Sequence, residues 1–598
     1  RSPLMDLIHW YAGIMTTISI MVDNKLLIFD SAMSYARSLS HLGLGELAAE
    51  KYKQAKEALN GLEDNKSPEY IIRKAKTLSY GINIHSEEYM DELNQALDIY
   101  EEFGDEYQKA WTLFEKARTY SSKGDLSKSE KYYNQSLIIF TKLNHILGIA
   151  ACTINTAAGF LQKGELDKYL QYTLKGLAYC EEIDSSYALG GIFGDLGFYY
   201  WQKGELETSL QYYNKSLEQI KRGKLYGHIH YMAMLFRMNL VYLEQEKYEE
   251  IKRNLEKMEI VAIIRSIPDE RATSYTTSYP LMHIYKLAMS IYLKTCSFDD
   301  NQDLIETMLK EVVQEKIIYV EMNRMALFHL CDFYLQRLKL TNDLELIKPL
   351  SETLDQLDEL AKSQKSPVLL VETYLLKSHL AQIDLKIDEA RLLLEKAQQI
   401  TDKQGITRLA TLISNEYDAL LDCLDQWEQF SMKLPDIAER MELTHLEDML
   451  NQLVKNKITY ATIEQEEENP SLFLIMDESK HIVFSDSFNA ALLDNELIEG
   501  IMESIHESQT EREQEEITLE RLRYKDYTIA LYVHENLLFG YVFIGKSYLA
   551  IKKLQKFVQD LNASSGIWQD LMEKIKTKKE LTLADRSQLS EYIESIFL

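Results

Sequence analysis

Lys123-Gly124-Asp125-Leu126 recurs as Lys163-Gly164-Glu165-Leu166 and as Lys203-Gly204-Glu205-Leu206, inside a segment, Lys74 to Leu217, that repeats every forty residues. The same period carries an aromatic phase, a small-residue phase and a leucine phase. Their members are Tyr80, Tyr120, Phe160 and Tyr200; Thr77, Ala117, Ala157 and Gly197; and Leu97, Leu137, Leu177 and Leu217. Self-similarity at such a period indicates stacked helical hairpins.

The residue types of one unit suit a pair of helices, A and B. The small residue on helix A lets helix B approach closely, and we expect the aromatic three positions later to fill the space between successive units. The glycine follows the last turn of helix A, where a left-handed backbone needs a residue without a Cβ. The acidic residue after it begins helix B, at the positive end of the helix dipole.

This spacing resembles the tetratricopeptide (TPR) helix pair in a longer form. The resemblance implies a mostly α fold, a TPR-like α-solenoid superhelix of about 10–11 helical hairpins. We place its N-terminal half at residues 4–261 and its C-terminal half at residues 281–463. Between them the periodicity lapses, and a polar, proline-bounded stretch from 262 to 281 predicts a loop.

A second domain begins near residue 471. The acidic run 464–470, which ends in Asn469-Pro470, predicts a linker. Residues 471–598 read as strand-strand-helix-strand-strand-strand-helix with further C-terminal helix, a small α+β domain. This order and the string Phe539 to Ala550 resemble the longin-like branch of the roadblock/longin superfamily, and longin-type domains attached to archaeal helical-repeat proteins. The resemblance implies a platform for small GTPases or for another longin-type domain.

Composition restricts the partners. The formal net charge of −28 and a pI near 5.0 disfavour nucleic acid and anionic membrane surfaces. The apolar run 13–22 is too short to span a bilayer, so membrane insertion is not expected. Five cysteines without paired spacing are typical of a reduced, cytoplasmic protein and not of a disulfide framework or zinc site.

One stretch matches a nucleotide-binding pattern. Residues 540–547 have two glycines separated by four residues, followed by Lys546 and Ser547. The four intervening residues are Tyr, Val, Phe and Ile, which belong in a strand and not in a phosphate-binding loop. The histidines lack zinc spacing, and no catalytic frame is recognisable. We therefore predict no enzyme activity, no catalytic residue, no cofactor and no metal.

The remaining candidate surface is the inner face of the superhelix, which helix A positions around the small residue would line. The predicted peptide- or protein-binding residues there are Glu115, Arg118, Asn155, Asp195, Phe198, Trp201 and Arg237. Aromatic anchors beside polar side chains are what a peptide groove needs. The alternative is that Phe198 and Trp201 pack between repeats while the polar residues merely face water.

These observations predict a non-enzymatic protein–protein interaction scaffold in signalling or trafficking. It would bind a peptide or protein in the TPR groove and a small GTPase or longin-type partner through the C-terminal domain. A ligand- or peptide-responsive TPR regulator, transcriptional or signalling, that lacks its effector module is the alternative. A purely structural subunit of a larger complex is a third possibility.

Overall fold

The computed structural model of the protein is built mainly of α-helices, with one small antiparallel sheet near the C-terminus. It describes every residue except 1–2, 23, 42–44, 61–66, 80–86, 124, 163–164, 224–228, 267–278, 315–319, 365, 434, 445, 447–448, 451–452, 454–467, 478–479, 489–494, 509–518, 535–536, 564–572 and 575–580. Contacts divide the chain into two units. The first unit contains Arg1–Ser366 and Glu447–Tyr460, and the second contains Pro367–Leu446 and Ala461–Leu598.

The first unit is a TPR-like helical solenoid, which confirms the predicted class. Its helices are α1 (Pro3–Met21), α2 (Lys25–His41), α3 (Gly45–Asn60), α4 (Pro68–Ser79), α5 (Glu87–Glu102), α6 (Glu106–Ser122), α7 (Leu126–Lys142), α8 (Ile146–Gln162), α9 (Leu166–Ile183), α10 (Ser186–Gln202), α11 (Leu206–Arg222), α12 (Ile229–Glu244), α13 (Tyr248–Ser266), α14 (Tyr279–Cys296), α15 (Phe298–Gln314), α16 (Val320–Thr341) and α17 (Ile347–Ser363). Consecutive helices pair from α2–α3 through α16–α17, and α6, α8 and α10 are the A helices of the regular repeats. The loop predicted from 262 to 281 is wrong at both ends, because residues 262–266 continue α13 and residues 279–281 already belong to α14. Residues 267–278 of it lie outside the described residues.

The small-residue phase allows close approach of the two helices of a hairpin. Ala117 and Ala157 are buried on α6 and α8. At Gly197 on α10, an added Cβ would lie 2.5 Å from the Tyr213 ring of α11. The large side chain that fills the space between the two helices therefore comes from helix B. Because that space is closely packed, the residue opposite it on helix A must be small.

The aromatic phase forms ring contacts between the two helices of a hairpin. Tyr120 stacks on Tyr132 of the same hairpin, with ring centroids 5.4 Å apart, and Tyr200 stacks on Tyr212 at 5.2 Å. Phe160 contacts Tyr172 of its own hairpin in a tilted arrangement, with ring centroids 5.0 Å apart. Each of these three rings thus has an aromatic partner on helix B of its own unit, while Tyr80 lies outside the described residues. That the rings also fill the space between successive units stays a prediction.

The turns between helices A and B follow the predicted chemistry in part. Gly204 has φ +77, the left-handed conformation predicted for it, while Gly124 and Gly164 lie outside the described residues. The side chain of Asp125 caps α7 by accepting a hydrogen bond from the Lys128 backbone N–H at 3.0 Å. Glu165 and Glu205 occupy the same cap position without a capping bond.

The second unit joins the last helical pairs to the α+β domain. Its helices are α18 (Pro367–Ile383), α19 (Ile387–Gln404), α20 (Thr407–Asp422), α21 (Leu424–Lys433), α22 (Ile437–Thr444), α23 (Asn495–Ser508), α24 (Ser547–Ala563) and α25 (Leu583–Phe597), and its strands are β1 (Asn469–Met476), β2 (Ile482–Ser487), β3 (Leu519–Tyr524), β4 (Tyr527–His534) and β5 (Leu537–Ile544). The element order predicted after residue 471 is confirmed. Of the predicted linker, 464–467 lie outside the described residues, and Asn469 and Pro470 already belong to β1.

The sheet has the order β2-β1-β5-β4-β3, and all its pairings are antiparallel. Leu474 and Val542 on one face pack with Ile501 of α23. Phe473 and Phe539 on the other face pack with helices α24 and α25. Alternate residues of each strand therefore supply two apolar layers, as the period of two requires. Among the described residues, no helix is long and apolar enough to cross a membrane.

Candidate functional site

Three predicted polar residues occupy equivalent positions on successive A helices. Glu115 on α6, Asn155 on α8 and Asp195 on α10 are forty residues apart, and all three are partly buried. Arg118 lies one turn after Glu115 and forms an ion pair with it at 3.3 Å, with 43% of the Arg118 side chain exposed. The repeat thus brings Glu115, Asn155 and Asp195 to one helical phase. We call these three residues, together with the neighbouring Arg118 and Arg237, the polar ladder.

Asn155 borders a small cleft. Its Nδ2 donates a hydrogen bond to the Ala151 carbonyl at 2.9 Å. The cleft is lined by Leu126, Ser129, Glu130, Tyr133, Asn155, Thr156, Gly159 and Phe160. The side chain of Asn155 therefore stands between its own helix and an opening at the surface, where polar and apolar groups are mixed.

Asp195 on α10 interacts with the charge of Arg237 on α12. Burial raises the pKa of Asp195 to about 6, and the charge of Arg237 partly offsets that rise. Arg237 on α12 donates a hydrogen bond to the Gly194 carbonyl at 3.5 Å, and its guanidinium carbon lies 5.6 Å from the centre of the Phe198 ring. This pair links two successive A helices.

The two predicted aromatic anchors are buried. Phe198 is 9% exposed and Trp201 is 2% exposed, and their rings meet edge to face at 5.9 Å. Trp201 Nε1 donates to Glu244 Oε1 on α12 at 2.9 Å. Both rings thus contribute to the core between repeats, as the alternative interpretation predicts.

A second cluster, which the sequence did not point out, joins β3 to α19 and α20. Arg521 is 2% exposed, and its Nη1 donates to the Ser547 hydroxyl at 2.9 Å and to the Ser414 carbonyl at 3.2 Å. Its Nη2 donates to Gln398 Oε1 at 3.3 Å, and its guanidinium carbon lies 4.5 Å from the centre of the Tyr417 ring. In the sequence, this cluster is indicated only by Arg521 itself, a charged residue at a position of β3 that strand alternation assigns to the interior.

This cluster also explains the Gly-Lys-Ser motif. Residues 541–544 lie in β5, which is paired with β1 and β4, as predicted from their types. Ser547 begins α24, and its backbone N–H and hydroxyl donate to Asp418 of α20 at 2.9 and 2.6 Å. A carboxylate from α20 therefore occupies the end of α24 that could otherwise attract an anion. We call Arg521, Asp418, Ser414, Ser547 and Gln398 the Arg521 cluster.

Residues 208–271 match a family described as an uncharacterized protein conserved in bacteria (DUF2129), and no curated protein matches the chain. The apo form of the quorum sensor NprR from B. thuringiensis is 16% identical over 59% of this chain and 96% of its own, with a TM-score of 0.40.

Two further solved structures are similar at this level. The apo form of RapI is 16% identical over 56% of this chain and 88% of its own, with a TM-score of 0.36. A Rap protein complexed with competence and sporulation factor is 15% identical over 69% of this chain and 93% of its own, with a TM-score of 0.35. The helical-repeat fold of this chain is evident from its own hairpins and forty-residue period.

Proposed function

We propose that this protein is a non-enzymatic interaction scaffold in signalling or trafficking whose polar ladder receives a peptide or protein. The observation that carries the proposal is the placement of Glu115, Asn155 and Asp195 at one phase of three successive A helices. Partly exposed amide, carboxylate and guanidinium groups at repeat spacing can bond the backbone of an extended segment. Arg118 and Arg237 add positive charge beside the carboxylates.

The burial of the two rings decides which residues can contact a partner. Phe198 and Trp201 stabilise the core between repeats, so the proposed recognition groups are Glu115, Arg118, Asn155, Asp195 and Arg237. Removing Trp201 would disturb the core as well as any groove, because the side chain is buried and hydrogen-bonded. Exposed charges are therefore the better targets for a test.

The test exchanges charge on the ladder. Arg118→Glu reverses the charge of a side chain that is 43% exposed, and Lys131→Glu makes the same change at an exposed position on α7 of the same hairpin. Affinity capture from the native cell, followed by mass spectrometry, would compare the two variants with the wild type. We expect Arg118→Glu to lose a partner that Lys131→Glu retains; equal capture by all three proteins would contradict the proposal.

The C-terminal domain is proposed to be longin-like and to dock a small GTPase or another longin-type domain. The observed element order, on which the resemblance rests, supports this assignment. Helices pack on both faces of the sheet, and β2 and β3 are its edge strands. Strand addition at a sheet edge is one way in which such a domain can bind a partner. Capture by the full chain from extract loaded with a non-hydrolysable GTP analogue, but not from GDP-loaded extract, is expected; identical capture from both would contradict GTPase docking.

A cytoplasmic location is also part of the proposal. All five cysteines are free thiols, and Cys152, Cys180 and Cys331 are buried. Thiols that form no disulfide suit a reducing compartment.

A further inference from the structure

The turns that join one hairpin to the next repeat a single backbone shape. Gly104, Asn144 and Asp184 are forty residues apart and have φ of +66, +49 and +50. Each is preceded by an apolar residue and followed, three positions later, by another. Because the backbone is the same, the flanking side chains are displayed in the same way at each turn.

These turns carry most of the exposed apolar surface of the regular repeats. Between residues 100 and 230, the described part of the chain exposes six large apolar side chains, and four of them belong to these turns. They are Tyr107 (39% exposed), Leu143 (44%), Leu147 (52%) and Tyr187 (42%). We call these four residues the turn ridge. A turn needs no large apolar residue for its own geometry, so their clustering on one edge points to a binding role.

Two of the four side chains of the turn ridge contact the following repeat. The Tyr107 ring lies 5.2 Å from the ring of His145 in the next turn. The Tyr187 hydroxyl lies 3.0 Å from His230 Nε2 at the start of α12. Each tyrosine thus packs against the following repeat. Because its conformation is already restricted in the free protein, the entropic cost of binding is lower.

The rim of the ridge is acidic. Segments 101–109, 141–147 and 181–187 contain seven carboxylates and two lysines. Glu101 pairs with Lys109 at 2.7 Å, and Asp184 pairs with Arg222 at 2.7 Å. Glu102, Glu181 and Glu182 are exposed. The charge that remains favours a cationic partner.

We propose that the turn ridge docks a basic amphipathic helix of a partner protein. The three turns recur once per hairpin along the stack. Residues seven positions apart lie on one face of a helix, about 10.5 Å from each other, so a partner helix with apolar residues at that spacing can offer them to the turns in succession. Lysines or arginines beside those residues would face Glu102, Glu181 and Glu182. This surface differs from the polar ladder, and the proposal does not depend on it.

The probe is a synthetic helix of about 20 residues, made of leucine at every seventh position with lysine and alanine between, and labelled with fluorescein. Fluorescence anisotropy with the full chain at about 0.15 M salt measures its affinity. The variant is Tyr107→Ser, Leu147→Ser and Tyr187→Ser combined. The matched control is Ile138→Ser with Leu174→Ser, which removes side chains that are 56% and 46% exposed on the B helices of the same repeats.

The ridge variant is expected to bind the peptide roughly tenfold or more weakly, while the control binds as the wild type does. Glu102→Lys with Glu182→Lys is expected to weaken binding as well, and a peptide with glutamate in place of lysine is expected not to bind. Equal weakening in the control, or unchanged binding in the ridge variant, would overturn the proposal by showing only general attraction to an acidic protein. If the triple variant does not fold, the single variant Leu147→Ser, at the most exposed position of the ridge, replaces it. The anisotropy measurement and the expected weakening of peptide binding are the same.

Discussion

Gly204 and Glu246 take the left-handed conformation at corresponding turns, between helices A and B, of neighbouring units. Their φ angles are +77 and +56. A residue with a Cβ pays about 1–2 kcal/mol in this region, and glycine costs about 0.5–1 kcal/mol in unfolded-chain entropy. Glu246→Gly is therefore expected to raise the free energy of unfolding by about 0.5–1 kcal/mol. Urea unfolding checks the value, and Gly204→Ala should shift it in the opposite direction; destabilisation by Glu246→Gly would show that its side chain has a role of its own.

Asp195 links the polar ladder to pH. Its pKa is raised from 3.8 to about 6, so its contribution to stability is complete below pH 4 and is lost as the pH rises through 6. Thermal unfolding from pH 4 to 7 should therefore show a steeper fall in Tm for the wild type than for Asp195→Asn. Parallel curves for the two proteins would mean that Asp195 titrates as an ordinary surface carboxylate.

Capping at this scale was predictable only in part. The sequence indicates an acidic residue at the start of each B helix, and all three are there. Asp125 reaches the N–H of the third residue, whereas the longer side chains of Glu165 and Glu205 make no such bond. Short side chains cap better, but whether a glutamate bends back depends on its surroundings.

At the scale of elements, the approach of helices α10 and α11 depends on one missing methyl group. An alanine Cβ at position 197 would lie 2.5 Å from the Tyr213 ring, while at Gly191 on the same helix nothing lies within 4 Å. Gly197→Ala is expected to lower the free energy of unfolding by about 1–3 kcal/mol. Gly191→Ala is the control and should raise it by about 0.5–1 kcal/mol, because alanine favours a helix. Similar effects of the two substitutions would contradict the packing described for the repeat.

The attachment of the sheet to α19 and α20 depends on the Arg521 cluster. Arg521 lies 3.8 Å from Asp418, and both side chains are nearly inaccessible. Removing one member of a buried ion pair costs about 3–5 kcal/mol, because the other charge stays buried. Arg521→Met should therefore increase hydrogen exchange in α20 and α24 as well as in β3, measured by mass spectrometry. Asp418→Asn combined with Arg521→Met should recover part of the protection, and an increase confined to β3 would contradict the shared cluster.

The elements themselves were largely predictable, and their junction was not. The strands and helices after residue 471 follow alternation and helical periodicity, and the structure has them in the predicted order. The Arg521 cluster joins residues that are more than 100 positions apart in sequence, so no local pattern could bring them together. The partner of an aromatic ring, such as Tyr132 for Tyr120, is beyond a local pattern for a similar reason, since spacing gives the phase of a residue but not its partner.

At the scale of the whole molecule, the repeat distributes two surfaces along the first unit. The polar ladder lies at one phase of the A helices, and the turn ridge lies at their beginnings. The sequence predicted the residues of the ladder, and whether they bind a partner remains a prediction. The ridge escaped notice because exposed apolar residues are recognisable only when burial is known.

The binding role of the ladder is tested most directly by site-specific photo-crosslinking in the native cell. A photoreactive amino acid would replace Arg118 in one protein and Asn155 in another, with Asn134, an exposed residue of α7, as the control position. Both ladder positions are expected to crosslink the same protein partner, and a peptide from that partner should compete. Crosslinks that are absent from the ladder, or that are the same at Asn134, would contradict the proposed function.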